Sequence, residues 1–208
     1  ARRYSRILNQ VIETEYDVIV AGYGPVGETC ANLLGYYGIK ALVLDKEKNA
    51  YPLPRAITWD AECQRAMSHC EFLSEVKTRK IRGVDNKDAN KKSIMKITME
   101  GFDTYNYQHR ILFIHQPQFD EAHRENAKKY STNTIKTGSE LLAVDEINGI
   151  VNCTYKDIET NEQFKVTSKY LLACDGANST VRKLNNIKLN SLDADEAWMV
   201  VDGYTKSS

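Results

Sequence analysis

The clearest chemistry in this sequence lies in Gly22-Tyr23-Gly24-Pro25-Val26-Gly27. Glycines spaced G-x-G-x-x-G between an apolar run and a helical stretch make a seat for a diphosphate. Gly22 permits a tight turn, Gly24 lets phosphate oxygens approach the main chain, and Gly27 lets the next helix pack closely. That helix offers free N–H groups and about half a positive charge at its N-terminus. Gly22, Gly24, Pro25, Val26 and Gly27 are therefore the expected diphosphate contacts. Asp45 stands 23 residues after Gly22, where a carboxylate can accept hydrogen bonds from both hydroxyls of a ribose. The same carboxylate would repel a 2′-phosphate, so the expected dinucleotide is FAD or NAD rather than NADP. A second segment, Tyr170 to Arg182, runs from an apolar strand into Asp175-Gly176 and a helix opening near Asn178 or Ser179. Taken alone, a carboxylate at that tip suits a structural role as well as a functional one.

The elements that position these residues can be read from periodicity. Tyr16 to Ala21 (YDVIVA) and Lys40 to Asp45 (KALVLD) have the unbroken apolar character of strands buried on both faces. Val26 to Tyr37 is helical, with Gly38 placed to end it. Strand, turn, helix and strand within about 30 residues form a parallel βαβ unit. Residues 46–58 read as a loop, Asp60 to Val76 as a helix, and 77–92 as a polar, solvated loop. Ser93 to Glu100 is a weakly alternating strand, Arg110 to Ile114 a stronger one, and Gln116 to Tyr130 an amphipathic helix. Strands are expected over Thr134 to Val144, Ile150 to Asp157, Phe164 to Thr167 and Tyr170 to Cys174, with a hairpin turn at Asn148-Gly149.

Composition narrows the partners. The 208 residues are 42% apolar and 27% charged, which excludes disorder and low complexity. Lys+Arg and Asp+Glu both number 28, so the basic excess of a nucleic-acid binder is missing. No apolar run approaches the roughly 18 residues of a membrane span. The five cysteines, Cys30, Cys63, Cys70, Cys153 and Cys174, form no C-x-x-C pair. They are expected to be reduced, mostly buried thiols of a cytoplasmic protein, with no metal site. The first fifteen residues carry Arg2, Arg3 and Arg6 without the apolar core of a secretory signal, and read as a surface arm. His69, His109, His115 and His123 are expected to be structural or solvent-exposed.

With these motifs in place, the chain resembles the para-hydroxybenzoate-hydroxylase class of flavoprotein monooxygenases, in particular the 3-(3-hydroxyphenyl)propionate hydroxylase branch. The likeness is carried by YDVIVAGYGPVG (16–27), YPLPRAITWDAE (51–62), FIHQPQFD (113–120) and LLACDGANSTVRK (171–183), with Trp198 to Asp202 also similar. It implies a Rossmann-like α/β fold, a parallel sheet with a β-meander, binding FAD. It implies contacts to the diphosphate or ribityl chain from Arg55 and the adjoining Ala56, and to the ribityl chain from Gln116. Asp45 and the neighbouring Lys46 would lie at the adenosine ribose, Leu141 near the adenine, and Asp175 close to the FAD. Most relatives have Glu where this chain has Asp45. The activity implied is hydroxylation of a phenolic or aromatic small molecule by NAD(P)H and dioxygen. In that chemistry the flavin reacts and the protein orients it and excludes water, so no side chain is assigned as catalytic.

The family's later Gly-Asp segment and its substrate-covering sheet have no counterpart here. The chain therefore reads as the N-terminal half of such an enzyme: a fragment, a truncated product, or a first piece completed by another chain. The alternative is a non-catalytic dinucleotide-binding module without the flavin-ring and substrate pocket. The expected organisation is an arm over 1–15, an FAD-binding domain over 16–190 whose 77–112 stretch contributes to the substrate side, and the start of a substrate domain over 191–208.

Overall fold

Apolar side chains at alternate positions of Tyr16–Ala21 (β1) face opposite sides of a sheet, and both sides are covered. A computed structural model describes residues 15–53, 55–70, 76–99, 109–191 and 196–197. The expected arm, apart from Glu15, and the Trp198 to Asp202 segment lie outside these residues, as does most of the expected start of a substrate domain.

From β1 the chain turns into helix α1 (Pro25–Tyr36) and returns as β2 (Ala41–Asp45). Gly38 ends the α1 segment at φ +70°, with the Ile39 N–H bonded back to the Leu34 carbonyl. Next come β3 (Thr58–Asp60), α2 (Ala61–Met67), β4 (Arg79–Lys80), β5 (Gly83–Lys87), β6 (Ser93–Thr98) and β7 (Ile111–Phe113). Helix α3 (Gln116–Lys128), β8 (Asn133–Thr137), β9 (Ser139–Ile147), β10 (Ile150–Asp157), β11 (Gln163–Ala173) and α4 (Thr180–Leu184) complete the described elements.

The main sheet has the order β8-β2-β1-β11-β10-β9. Its first four strands are parallel, and β11-β10-β9 is an antiparallel meander. Val18, Val20 and Val43 pack with Tyr23, Ala31 and Ala127 on the side of α1 and α3. Ile19, Ala21, Leu42 and Leu44 pack on the other side, with Leu141, Cys153, Tyr155 and Val166 of the meander and Val181 of α4. The result is the α/β arrangement, a parallel sheet with a β-meander, that the resemblance implies. A third cluster, Trp59, Met67, Cys70, Val76 and Phe119, ties α2 and the small sheet β3-β7-β4 to α3.

Four expectations are corrected. The strand expected over Thr134 to Val144 is two strands, because Gly138 turns the chain at φ +71° and sends β8 and β9 to opposite edges of the sheet. The two strands expected over 164–174 are one, and Ser168 at its midpoint pairs with both Val151 and Tyr16. The helix expected from Asp60 ends at Met67, where the Ser68 hydroxyl bonds the Arg65 carbonyl; residues 71–75 lie outside the described set. Within the expected solvated loop, β5 pairs with β6 as a hairpin that leaves both strands exposed. The Asn148-Gly149 turn is as expected, both residues having positive φ.

Gly35 shows how tightly the helical layer is packed, because a Cβ there would overlap the Tyr130 ring. Alanine in a helix interior is ordinarily favoured over glycine by about 1 kcal/mol. Overpacking costs about 1–3 kcal/mol, so Gly35→Ala should lower stability. Urea unfolding with an unchanged slope and a lower midpoint is the expected result.

Candidate functional site

Parallel β8, β2, β1 and β11 bring their carboxyl ends to one edge, the place where open α/β sheets bind ligands. Gly22, Asp45 and Asp175 all lie there, just beyond or at the ends of β1, β2 and β11. Gly22 has φ +98°, and a Cβ on it would stand 2.5 Å from the Cys174 carbonyl oxygen. A Cβ on Gly27 would overlap the Gly22 carbonyl oxygen, so the helix packs on the turn itself rather than only on the strand. Gly24, the N-cap of α1, is extended at φ −88° and ψ −171°, and a Cβ there would meet nothing within 4 Å. Pro25 fills the first helical position, where no N–H is needed. The first-turn N–H groups of Val26 and Gly27 have no acceptor within the helix.

The carboxylates at this edge are partly engaged. Asp45 is half-buried; Oδ2 accepts from the Tyr23 N–H at 2.6 Å and Oδ1 from the Glu47 N–H at 2.7 Å. It thus clips the end of β2 to the glycine turn, and each oxygen retains a lone pair for a further donor. Lys46 beside it is exposed. Asp175 Oδ2 accepts from the N–H groups of Thr180 and Val181 at 2.6 and 3.0 Å, holding the start of α4. Its Oδ1 is buried and has no hydrogen-bond partner among the described residues. Leu141 points its side chain into the core, which leaves only its main chain on edge strand β9 for contact with a ligand.

Arg55, Ala56 and Gln116 form a second group. Gln116 is buried, and its Oε1 accepts from the N–H groups of Arg55 and Ala56, both at 2.7 Å. The amide thus anchors the Arg55 loop. The exposed Arg55 guanidinium lies 4.0 Å from the centre of the Tyr51 ring. Gln116 Nε2 donates to Asp120 Oδ2 at 3.2 Å.

Asp120 leads into a buried polar seam between α1 and α3. Arg124 Nε donates to Glu28 Oε1 at 2.7 Å, and its guanidinium also donates to the Tyr23 carbonyl oxygen. Asn32 donates to the carbonyls of Glu28 and His123, and Asn126 donates to Asn32. Burial pushes Glu28 up to about 7, against the opposing pull of Arg124. Burial, then the charge of Glu28, pushes Asp120 up to about 6, and burial pulls His123 down to about 4. The seam holds the glycine turn at one end, through Tyr23, and the Arg55 loop at the other.

A family of sequences described as "FAD binding domain" matches residues 15–207. The chain belongs to this FAD-binding domain family. Its architecture fits the cofactor: open space stands over Gly24, the first-turn N–H groups have no acceptor within the helix, and a buried oxygen of Asp175 lacks a donor among the described residues. The chain is 30% identical over 196 residues to the 3-(3-hydroxy-phenyl)propionate/3-hydroxycinnamic acid hydroxylase of Comamonas testosteroni, covering 93% of this chain and 33% of that protein. It is 30% identical over 200 residues to the protein of the same name from Escherichia coli K12, covering 94% and 35%. The chain spans about a third of the length of these relatives. Its fold matches p-nitrophenol 4-monooxygenase from Pseudomonas putida with TM-score 0.71 and 25% identity, covering 82% of this chain and 43% of that one. It also matches anhydrotetracycline hydroxylase from Streptomyces rimosus with TM-score 0.68 and 26% identity, covering 86% and 35%.

In this FAD-binding domain the polar seam is what the sequence reading missed. Its signal is visible in retrospect: Glu28 and Asn32 recur on the buried face of α1, and Gln116, Asp120, His123 and Asn126 on that of α3. His123, expected to be structural or solvent-exposed, is fully buried in the seam. Of the thiols expected to be mostly buried, Cys70 and Cys153 are; Cys63 is exposed, and Cys30 and Cys174 are intermediate. Among the described residues no helix is long and apolar enough to cross a membrane, and no cluster of ligands suits a metal ion.

Glu28 yields a pH prediction. Its carboxyl titrates near 7 when folded and near 4.5 when unfolded. The stability contributed by its neutral form is complete below pH 4.5 and lost as pH rises to about 7. Glu28→Gln cannot ionise, so its stability relative to wild type should improve across that window by on the order of 3 kcal/mol. Urea unfolding of both proteins across the window measures this, and a pH-independent difference would contradict it.

Proposed function

We propose that this chain holds FAD at the carboxyl edge of its parallel sheet, as part of a monooxygenase that hydroxylates a phenolic or aromatic small molecule with NAD(P)H and dioxygen. The observation that carries the reading is the open space over Gly24, beside first-turn N–H groups that have no acceptor within the helix and between Asp45 and Asp175. The relatives' names, which specify hydroxylases of phenolic compounds, support the substrate class.

In this reading the diphosphate rests over Gly22, Gly24, Pro25, Val26 and Gly27, and Asp45 accepts from the adenosine ribose with Lys46 alongside. Leu141 meets the adenine through its main chain. Arg55 places its cation on the diphosphate, Ala56 lines the same stretch, and Gln116 acts by fixing that loop while reaching the ribityl chain. Asp175 lies close to the FAD. FAD, when bound, would supply the redox chemistry between NAD(P)H and dioxygen. The chain's own residues bind and orient it. The FAD-binding domain occupies residues 16–190, with 77–112 on the substrate side. An arm over 1–15 precedes it, residues 191–208 begin a substrate domain, and the rest of the enzyme closes over the flavin. The balanced charge and the thiols favour a cytoplasmic setting, without nucleic-acid or membrane partners.

Titrating the chain with FAD while following flavin fluorescence tests the binding. Gly24→Val should keep the fold, because the extended backbone suits valine and a Cβ there meets no protein atom within 4 Å. It should weaken FAD binding by roughly 100-fold or more, about 2.7 kcal/mol. Equal affinity in a folded Gly24→Val protein would overturn the placement.

A further inference from the structure

The thiols of Cys30, in α1, and Cys174, just beyond β11, lie 144 positions apart in sequence with their sulfurs 3.9 Å apart. A disulfide has its sulfurs about 2.05 Å apart, so closure requires an approach of about 1.9 Å. Cys174 sits directly beneath the diphosphate seat: its carbonyl contacts the Gly22 turn, its N–H bonds the Ala21 carbonyl, and Asp175 follows it. We infer that Cys30 and Cys174 form a modification site, a dithiol that hydrogen peroxide closes to a disulfide joining α1 to the strand end bearing Asp175.

The other thiols compete poorly. Cys70 and Cys153 are buried, and burial raises both. Cys63 is exposed, but partial desolvation and the neighbouring Asp60 raise it. Cys30 is lowered, chiefly by its hydrogen-bonding contact with the Cys174 thiol, and a thiolate is the form that attacks peroxide. The Cys30 thiolate attacks one peroxide oxygen, the O–O bond breaks, and the departing hydroxide takes a proton to become water. Cys174 then attacks the resulting sulfenic sulfur; the S–O bond breaks, the S–S bond forms, and a second water leaves. Two thiols are oxidised by two electrons as one peroxide is reduced to two waters.

The site does not depend on flavin binding, and its test reads thiols rather than flavin. In the full chain carrying Cys63→Ser, which removes the exposed thiol, four thiols remain. After stoichiometric peroxide, non-reducing peptide mapping by mass spectrometry should find Cys30 linked to Cys174. Free thiols should fall from four to two and recover with dithiothreitol, and the melting temperature should rise in the oxidised form. Cys30→Ala in the same background should yield no cross-link. Four intact thiols after excess peroxide, oxidation of Cys30 to sulfinic acid without a cross-link, or a cross-link between other cysteines would each overturn the inference.

Discussion

Main chain pressed against main chain at the end of β1 is the constraint on which the rest of this molecule depends. Gly22 lies against the Cys174 carbonyl and Gly27 against the Gly22 carbonyl, so a side chain at either position would force the turn open. With the turn closed, α1 starts at the sheet edge and its first N–H groups remain free. Asp45, from the adjacent strand, spends one hydrogen bond on the Tyr23 N–H and so fixes the turn relative to β2. Contact on both sides of the turn and openness over Gly24 are consequences of the same geometry.

That geometry is supported from below by a polar interface rather than an apolar one. Burying Glu28 and Arg124 between α1 and α3 carries a desolvation cost that their pairing offsets only in part, as the raised Glu28 shows. What the pair gives is a fixed relation between the helices and the turn, since Arg124 also holds the Tyr23 carbonyl. Gln116 extends the same seam to the Arg55 loop. Two loops more than 30 residues apart in sequence are thereby held by one helix, α3.

The parts legible in the sequence were those whose local pattern and tertiary role coincide. Val18 to Ala21 and Ala41 to Leu44 of the YDVIVA and KALVLD runs are buried on both faces, and the glycines between them stand where the backbone needs them. Where tertiary context decided, reading along the chain fell short. Gly138 looked like a residue within a strand until its positive φ divided β8 from β9. The β5-β6 hairpin is exposed along both strands, so no apolar periodicity marks its first strand. Asp45, Gln116 and Asp175 were legible as polar groups at the site, but not their backbone partners, of which Tyr23, Arg55 and Ala56 come from segments distant in sequence. The Glu28 seam was hidden because polar residues on helices are ordinarily solvated, and only the packing of α3 on α1 encloses these.

Calorimetric titration with ADP and, separately, with riboflavin measures the central claim most directly, because the first ligand carries the diphosphate and ribose and the second carries neither. The account predicts that ADP binds and competes with FAD, while riboflavin binds far more weakly. Riboflavin binding as tightly as FAD, with no competition from ADP, would contradict it.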